Sequence, residues 1–87
     1  MASYEIVFKT SVAKDLRRIP SADVRRILDR VVALAQNPRP EGCVKLSGLE
    51  RYRVRQGVYR IIYEISDKEL IVLVVKVAHR REVYKGG

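Results

Sequence analysis

The chain has 87 residues, 47% of them hydrophobic, with 18 lysines and arginines against 10 aspartates and glutamates, a formal charge of +8. That length makes a single domain over residues 1–87, and the apolar content supports a folded core, which excludes a disordered tail. The charge favours a polyanionic or acidic partner, and the single cysteine, Cys43, excludes an internal disulfide framework and fits a reducing compartment.

No apolar leader segment stands at the start, and the longest apolar run, residues 70–75, is too short to cross a bilayer. The expectation is a cytoplasmic protein with no membrane partner. Residues 4–8 are β-branched or aromatic enough for a first strand. Thr10 or Ser11 is placed to cap a short helix in which Val12, Ala13, Leu16 and Ile19 fall at helical spacing, with Lys14, Asp15, Arg17 and Arg18 outward. Pro20 ends it. Ser21 is a candidate N-cap and Asp23 a first-turn acid for a second helix. Its apolar stripe is Val24, Ile27, Leu28, Val31, Leu34 and Ala35, its basic residues form a solvated face, and Asn37-Pro38 closes it.

From Lys45 the pattern turns to strands. Residues 52–56 and 58–65 are joined tightly around Gln56-Gly57, and residues 69–78 complete a meander after a turn at 66–68. Residues 70–75 are apolar at every position, which predicts a central strand buried on both faces. The fold class is therefore α+β: two N-terminal helices packed on a small, mainly antiparallel four-stranded sheet in the order β-α-α-β-β-β, with one sheet face partly open to a partner.

The chemistry concentrates in the last third. Residues 51–60 hold four arginines and no acid, and residues 77–85 add His79, Arg80, Arg81, Tyr84 and Lys85. Period two puts Arg53 and Arg55 on one strand face, and the hairpin returns Arg60 within reach, with His79, Arg80 and Arg81 at the end of the following strand. Arginine offers a planar fork that matches phosphate oxygens and neutralises charge growing in a phosphoryl transition state. Tyr84 offers a stacking ring, and histidine is the side chain suited to proton exchange near neutrality. No group of acids stands in the cluster to assemble a metal site, since Asp67 and Glu69 are confined to a turn and Glu64 and Glu82 stand alone, so neither metal nor cofactor is expected. RNA fits a metal-free site better than DNA, because its 2′-hydroxyl is a nucleophile already beside the scissile phosphate.

These residues resemble the RelE/ParE superfamily of bacterial and archaeal toxins, on its RelE-like branch. The likeness runs over the helical hairpin ending at Asn37-Pro38, the K-L-S-G-L segment at 45–49, Tyr52-Arg53-Val54-Arg55, G-V-Y-R-I-I-Y-E-I at 57–65 and the closing H-R-R-E-V-Y. It implies the toxin of a type II toxin–antitoxin system, a ribosome-dependent, metal-independent endoribonuclease (an mRNA interferase) that cuts mRNA in the ribosomal A site and stops translation. The implied partners are an acidic, RelB-like antitoxin, the ribosome with its mRNA, and ribosomal RNA. By the same resemblance Arg60 holds the scissile phosphate, Arg80 lies by the leaving group, Tyr84 stacks on the substrate base, and Arg53 and Arg55 occupy positions that are lysines in the best-known branch. His79 lies where a basic residue is common, and either His79 or Tyr84 handles a proton, while Lys45, Arg51, Arg81 and Lys85 are candidate RNA contacts. Two further readings stand beside this one: a ParE-like protein that inhibits DNA gyrase without catalysis, and an inactive module that binds RNA or antitoxin.

Overall fold

The hairpin around Gly57 sets the sheet. In a computed structural model, which describes residues 3–46 and 50–82, the elements are β1 (Glu5–Phe8), α1 (Thr10–Arg17), α2 (Ser21–Ala33), β2 (Val44–Leu46), β3 (Arg51–Gln56), β4 (Tyr59–Ser66) and β5 (Ile71–His79). Gln56 pairs with Tyr59, leaving Gly57 and Val58 as a two-residue turn. Gly57 takes φ +60 while Val58 does not enter the left-handed region, the pattern of a II′ turn whose twist suits antiparallel strands. The sheet runs β1-β5-β4-β3-β2, antiparallel except where β1 lies parallel to β5.

The predicted α+β architecture holds, with one more strand than expected: β2, three residues long, pairs with β3 after the irregular stretch set by Pro38, Pro40 and Gly42. The helices begin differently from the predicted caps. Lys9 and Pro20 occupy the N-cap positions and neither makes a side-chain cap bond, so Ser21 is the first helical residue.

The core lies between the helices and one sheet face. Val12 from α1, and Ile27 and Val31 from α2 with Leu34 just after it, pack against Tyr52, Val54, Ile61, Tyr63, Ile65, Val72, Val74 and Val77. In β3 and β4 those residues follow period two, while in β5 the spacing breaks between Val74 and Val77, where the register shifts. β5 is not buried on both faces as its unbroken apolar run implied: Val72 and Val74 are buried, while Ile71 and Leu73 on the other face are only half-covered and Leu70 lies in the preceding turn at φ 57. No helix reaches that second face. Among the described residues no helix is long and apolar enough to cross a membrane.

Asp15 is not outward. Its side chain is 13% exposed; it accepts the Val77 amide at 3.1 Å and Lys76 Nζ at 3.0 Å, capping the part of β5 that extends past its pairing with β1.

The end of the sheet far from Gly57 is fastened by a polar network. The Tyr63 hydroxyl donates to the Pro38 carbonyl at 2.7 Å, and its ring stacks on Tyr52 at 5.9 Å. Arg39 lies over the Tyr52 ring, donates to its hydroxyl at 3.2 Å and forks onto Asp67 at 2.9 and 3.1 Å. Tyr4 adds a 2.6 Å bond to the same carboxylate. This ties the segment after α2 to the β4–β5 turn and to the start of β1.

Burial pushes the Tyr63 phenol up, so its hydroxyl stays a donor throughout the physiological range. The Tyr63→Phe variant leaves the buried Pro38 carbonyl without that donor and should cost ~1–3 kcal/mol in urea unfolding. The bonds from Arg39 and then Tyr4 hold the Asp67 carboxyl at about 2. A depressed carboxylate contributes stability that is complete above its ordinary pKa of about 4 and disappears as pH falls through the folded value. Melting temperature should therefore drop between pH ~4 and ~2 more steeply for the native chain than for Asp67→Asn.

Candidate phosphate-binding site

Register decides which cationic groups meet. Arg51 stands opposite Glu64, Arg53 opposite Ile62, and Arg55 opposite Arg60, all on the face away from the helices. The pairs grade along the hairpin. Arg51 is committed to Glu64, Nε to Oε2 at 2.7 Å, so this candidate RNA contact is half-occupied by an internal ion pair. Arg53 is half-buried, and its Nε has no hydrogen-bond partner among the described residues. At the turn end Arg55 and Arg60 face each other directly.

Two like charges directly opposite on neighbouring strands destabilise a sheet, yet Arg60 is only 6% exposed. Its other strand neighbour is Ala78, whose small side chain leaves it room. Arg80 follows in the turn after β5, held by its amide to the Val58 carbonyl at 2.8 Å. Arg55, Gly57, Val58, Tyr59, Arg60 and Arg80 together line a recess of about 90 Å³. Among the described residues that line it, none is acidic. Three guanidinium groups around so small a recess present a donor-rich, cationic surface suited to a tetrahedral oxyanion.

His79 is not in that recess. It pairs with Tyr59 one register step from Arg60 and Ala78, which puts its ring on the helix side of the sheet. There it sits edge-on to Tyr59 at 5.8 Å and lines a separate cavity of about 170 Å³ with Asp15, Arg18, Ile19 and Glu82. Strand alternation thus sets the imidazole apart from the arginines with which the sequence groups it. Arg81 is exposed in the same turn. Lys45 lies opposite Tyr52 on the helix side, with Nζ 3.4 Å from Glu50. Tyr84 and Lys85 lie outside the described residues, as do positions 47–49 of the K-L-S-G-L segment.

Sequence reasoning missed the Asp15 clamp on β5 and the Arg39–Asp67 pair. Asp15 carries no signal beyond its place on a solvated-looking helix. Arg39 and Asp67 each stand in turn-rich segments, and their meeting across 28 positions is visible only once the sheet is formed. Among the described residues no three or more His, Cys, Asp and Glu side chains gather where they could hold a metal ion.

Comparison with known proteins agrees with this architecture. The sequence profile of the family described as "ParE toxin of type II toxin-antitoxin system, parDE" matches residues 6–84. Toxin RelG of Mycobacterium tuberculosis is 31% identical over 90 residues, an alignment covering 94% of this chain and 97% of that protein. The mRNA interferase toxin RelE of Escherichia coli is 28% identical, covering 94% and 90%. Among solved structures, the archaeal RelE–RelB complex from Pyrococcus horikoshii superposes with a TM-score of 0.82 at 30% identity, covering 92% of this chain and 98% of that one.

Removing one member of the opposed arginine pair has two effects of opposite value. Arg55→Gln should raise folding stability by ~0.2–1 kcal/mol. The same change should lower the slope of log affinity against log salt for single-stranded RNA by about one. Urea unfolding and a salt titration of RNA binding, run on one preparation, check both.

Proposed function

The chain belongs to the RelE/ParE superfamily of toxins of toxin–antitoxin systems, on its RelE/RelG branch, and we propose that it is a ribosome-dependent endoribonuclease that cleaves mRNA in the A site and arrests translation in the cytoplasm. The observation that carries this reading is the recess that gathers Arg55, Arg60 and Arg80, extended along the same sheet face by Arg53. The name mRNA interferase borne by the E. coli relative supports it.

The proposed reaction uses the RNA's own nucleophile. The 2′-oxygen attacks the adjacent phosphorus, the bond from phosphorus to the 5′-oxygen breaks, and the products are a 2′,3′-cyclic phosphate and a 5′-hydroxyl. One proton leaves the 2′-hydroxyl and one reaches the 5′-oxygen. Arg60 grips the scissile phosphate and Arg80 the leaving-group side, while Arg53 and Arg55 stabilise the charge that grows on the non-bridging oxygens. Arginine stays protonated in proteins and does not serve as the base. Tyr84 stacks on the substrate base and, with solvent, handles the protons. Lys45, Arg51, Arg81 and Lys85 contribute contacts to mRNA or ribosomal RNA whose strength falls with salt.

The partner is a small acidic antitoxin of the RelB kind. Charge complementarity to a chain of +8 favours it, as does the likeness to a RelE–RelB complex. The family profile's ParE description favours a second reading, non-catalytic inhibition of DNA gyrase.

The test uses programmed ribosomes with a defined codon in an empty A site, with cut positions mapped by primer extension. A cut within that codon is expected, absent without ribosomes and reduced roughly 10²-fold in Arg60→Ala, the scale of losing one transition-state donor; Tyr84→Ala should also be impaired. Intact mRNA with a folded, growth-arresting protein would exclude cleavage and make gyrase supercoiling the next assay.

A further inference from the structure

The cavity behind the sheet gives His79 a task other than proton transfer. Its Nδ1 accepts the backbone N–H of Arg81 at 3.2 Å, and its carbonyl accepts the N–H of Glu82 at 2.8 Å. With the Arg80 amide bonded to the Val58 carbonyl at 2.8 Å, three hydrogen bonds close the turn after β5, and two end on His79. The residue between the two ends of the Arg81 bond is Arg80, which also lines the arginine recess.

The ring is itself held. It packs edge-on against Tyr59, whose strand neighbour in sequence is Arg60. Around it stand Asp15 of α1, Arg18 just past that helix's end, and Glu82 of the turn. Asp15 is fixed by the Val77 amide and Lys76. The Nδ1 that accepts this bond does so through its lone pair.

We infer that His79 is a positioning residue for Arg80: from behind the sheet, its Nδ1 fixes the Arg81 N–H and so the turn that aims the Arg80 guanidinium into the recess. The inference rests on the phosphate-clamp role proposed for Arg80. It adds a residue that touches no RNA and contributes a hydrogen-bond acceptor.

Three substitutions separate acceptor, ring and proton. Asparagine at this position accepts the N–H two residues on, as in an Asx-turn, but exchanges no proton near neutrality. Phenylalanine keeps the ring against Tyr59 and accepts nothing. In the A-site assay, His79→Asn is expected to cleave within about threefold of the native chain. His79→Phe and His79→Ala should lose roughly tenfold, the scale of one hydrogen bond, and Arg80→Ala should add little further loss to either.

A His79→Asn variant as impaired as His79→Ala would overturn the inference in favour of proton transfer by the imidazole. A fully active His79→Phe would overturn it in favour of ring packing. NMR of the free protein decides independently of cleavage. Slow hydrogen exchange of the Arg81 amide and an unchanged Arg80 Nε–H signal are expected in His79→Asn, with both altered in His79→Ala. An unprotected Arg81 amide in the native chain would sink the inference. If the native chain cut nothing on ribosomes, the proposed reaction would fail, while the NMR result would still decide whether His79 fixes Arg80.

Discussion

The register of the β3–β4 hairpin is the constraint on which the molecule depends. Side chains alternate along a strand, so a shift of one residue exchanges the two faces. In the observed register Tyr52, Val54, Ile61 and Tyr63 lie under the helices, and Arg51, Arg53, Arg55 and Arg60 lie opposite. A slip would bury arginines among Ile27 and Val31 and expose two tyrosines. Gly57 in its left-handed turn and the cross-strand ion pair of Arg51 with Glu64 therefore protect core and recess together. The hydrophobic pattern that folds this domain is also what assembles its cationic face.

That dual use explains how much the sequence disclosed. Period two alone joined Arg53, Arg55 and Arg60 on one surface, and the apolar stripe from Ile27 to Leu34 identified the helix that covers the other. The same rule, carried one strand further, separates His79 from Arg60: Tyr59 pairs with His79 and Arg60 with Ala78, an alignment that sequence does not fix between β4 and β5 because a register irregularity at Ile62/Tyr63 intervenes. Residues 70–75 misled for a different reason. A continuous apolar run says that both faces tolerate apolar side chains, but coverage is supplied by other elements, and the two helices reach only one face. Arg39, Asp67 and Asp15 stayed hidden because their partners are fixed by tertiary structure, where local patterning is silent.

The charges are distributed by job. At the end far from Gly57 the polar groups are satisfied internally: Asp67 takes Arg39 and Tyr4, and Tyr63 takes the Pro38 carbonyl. At the turn end Arg55 and Arg60 oppose each other, and Arg80 joins them at the recess. The fastened end helps the fold tolerate that crowding of like charges. In the proposed function the phosphodiester of RNA is the anion that meets this donor-rich recess, and a partner's carboxylates would suit the same donors.

In the proposed reaction, arginine in place of a tunable base shifts the burden of catalysis. A lysine or histidine can be moved toward neutrality by burial and then trade protons, whereas a guanidinium remains charged and contributes only position and field. For a site of this composition, rate depends on how closely the guanidinium groups follow the oxygens of the transition state, because the electrostatic benefit is largest when the donors need not reorganise. Arg55 and Arg60 are fixed by strand pairing. Arg80 is not: it sits past the end of β5, where only the turn bonds hold it. The backbone bonds from Arg80 to Val58 and from Glu82 to His79, together with the Nδ1 acceptor behind them, therefore supply at the chain's turn the rigidity that the sheet supplies to the other two. In a fold this small, the histidine contributes most by standing on the far side of the strand from the chemistry.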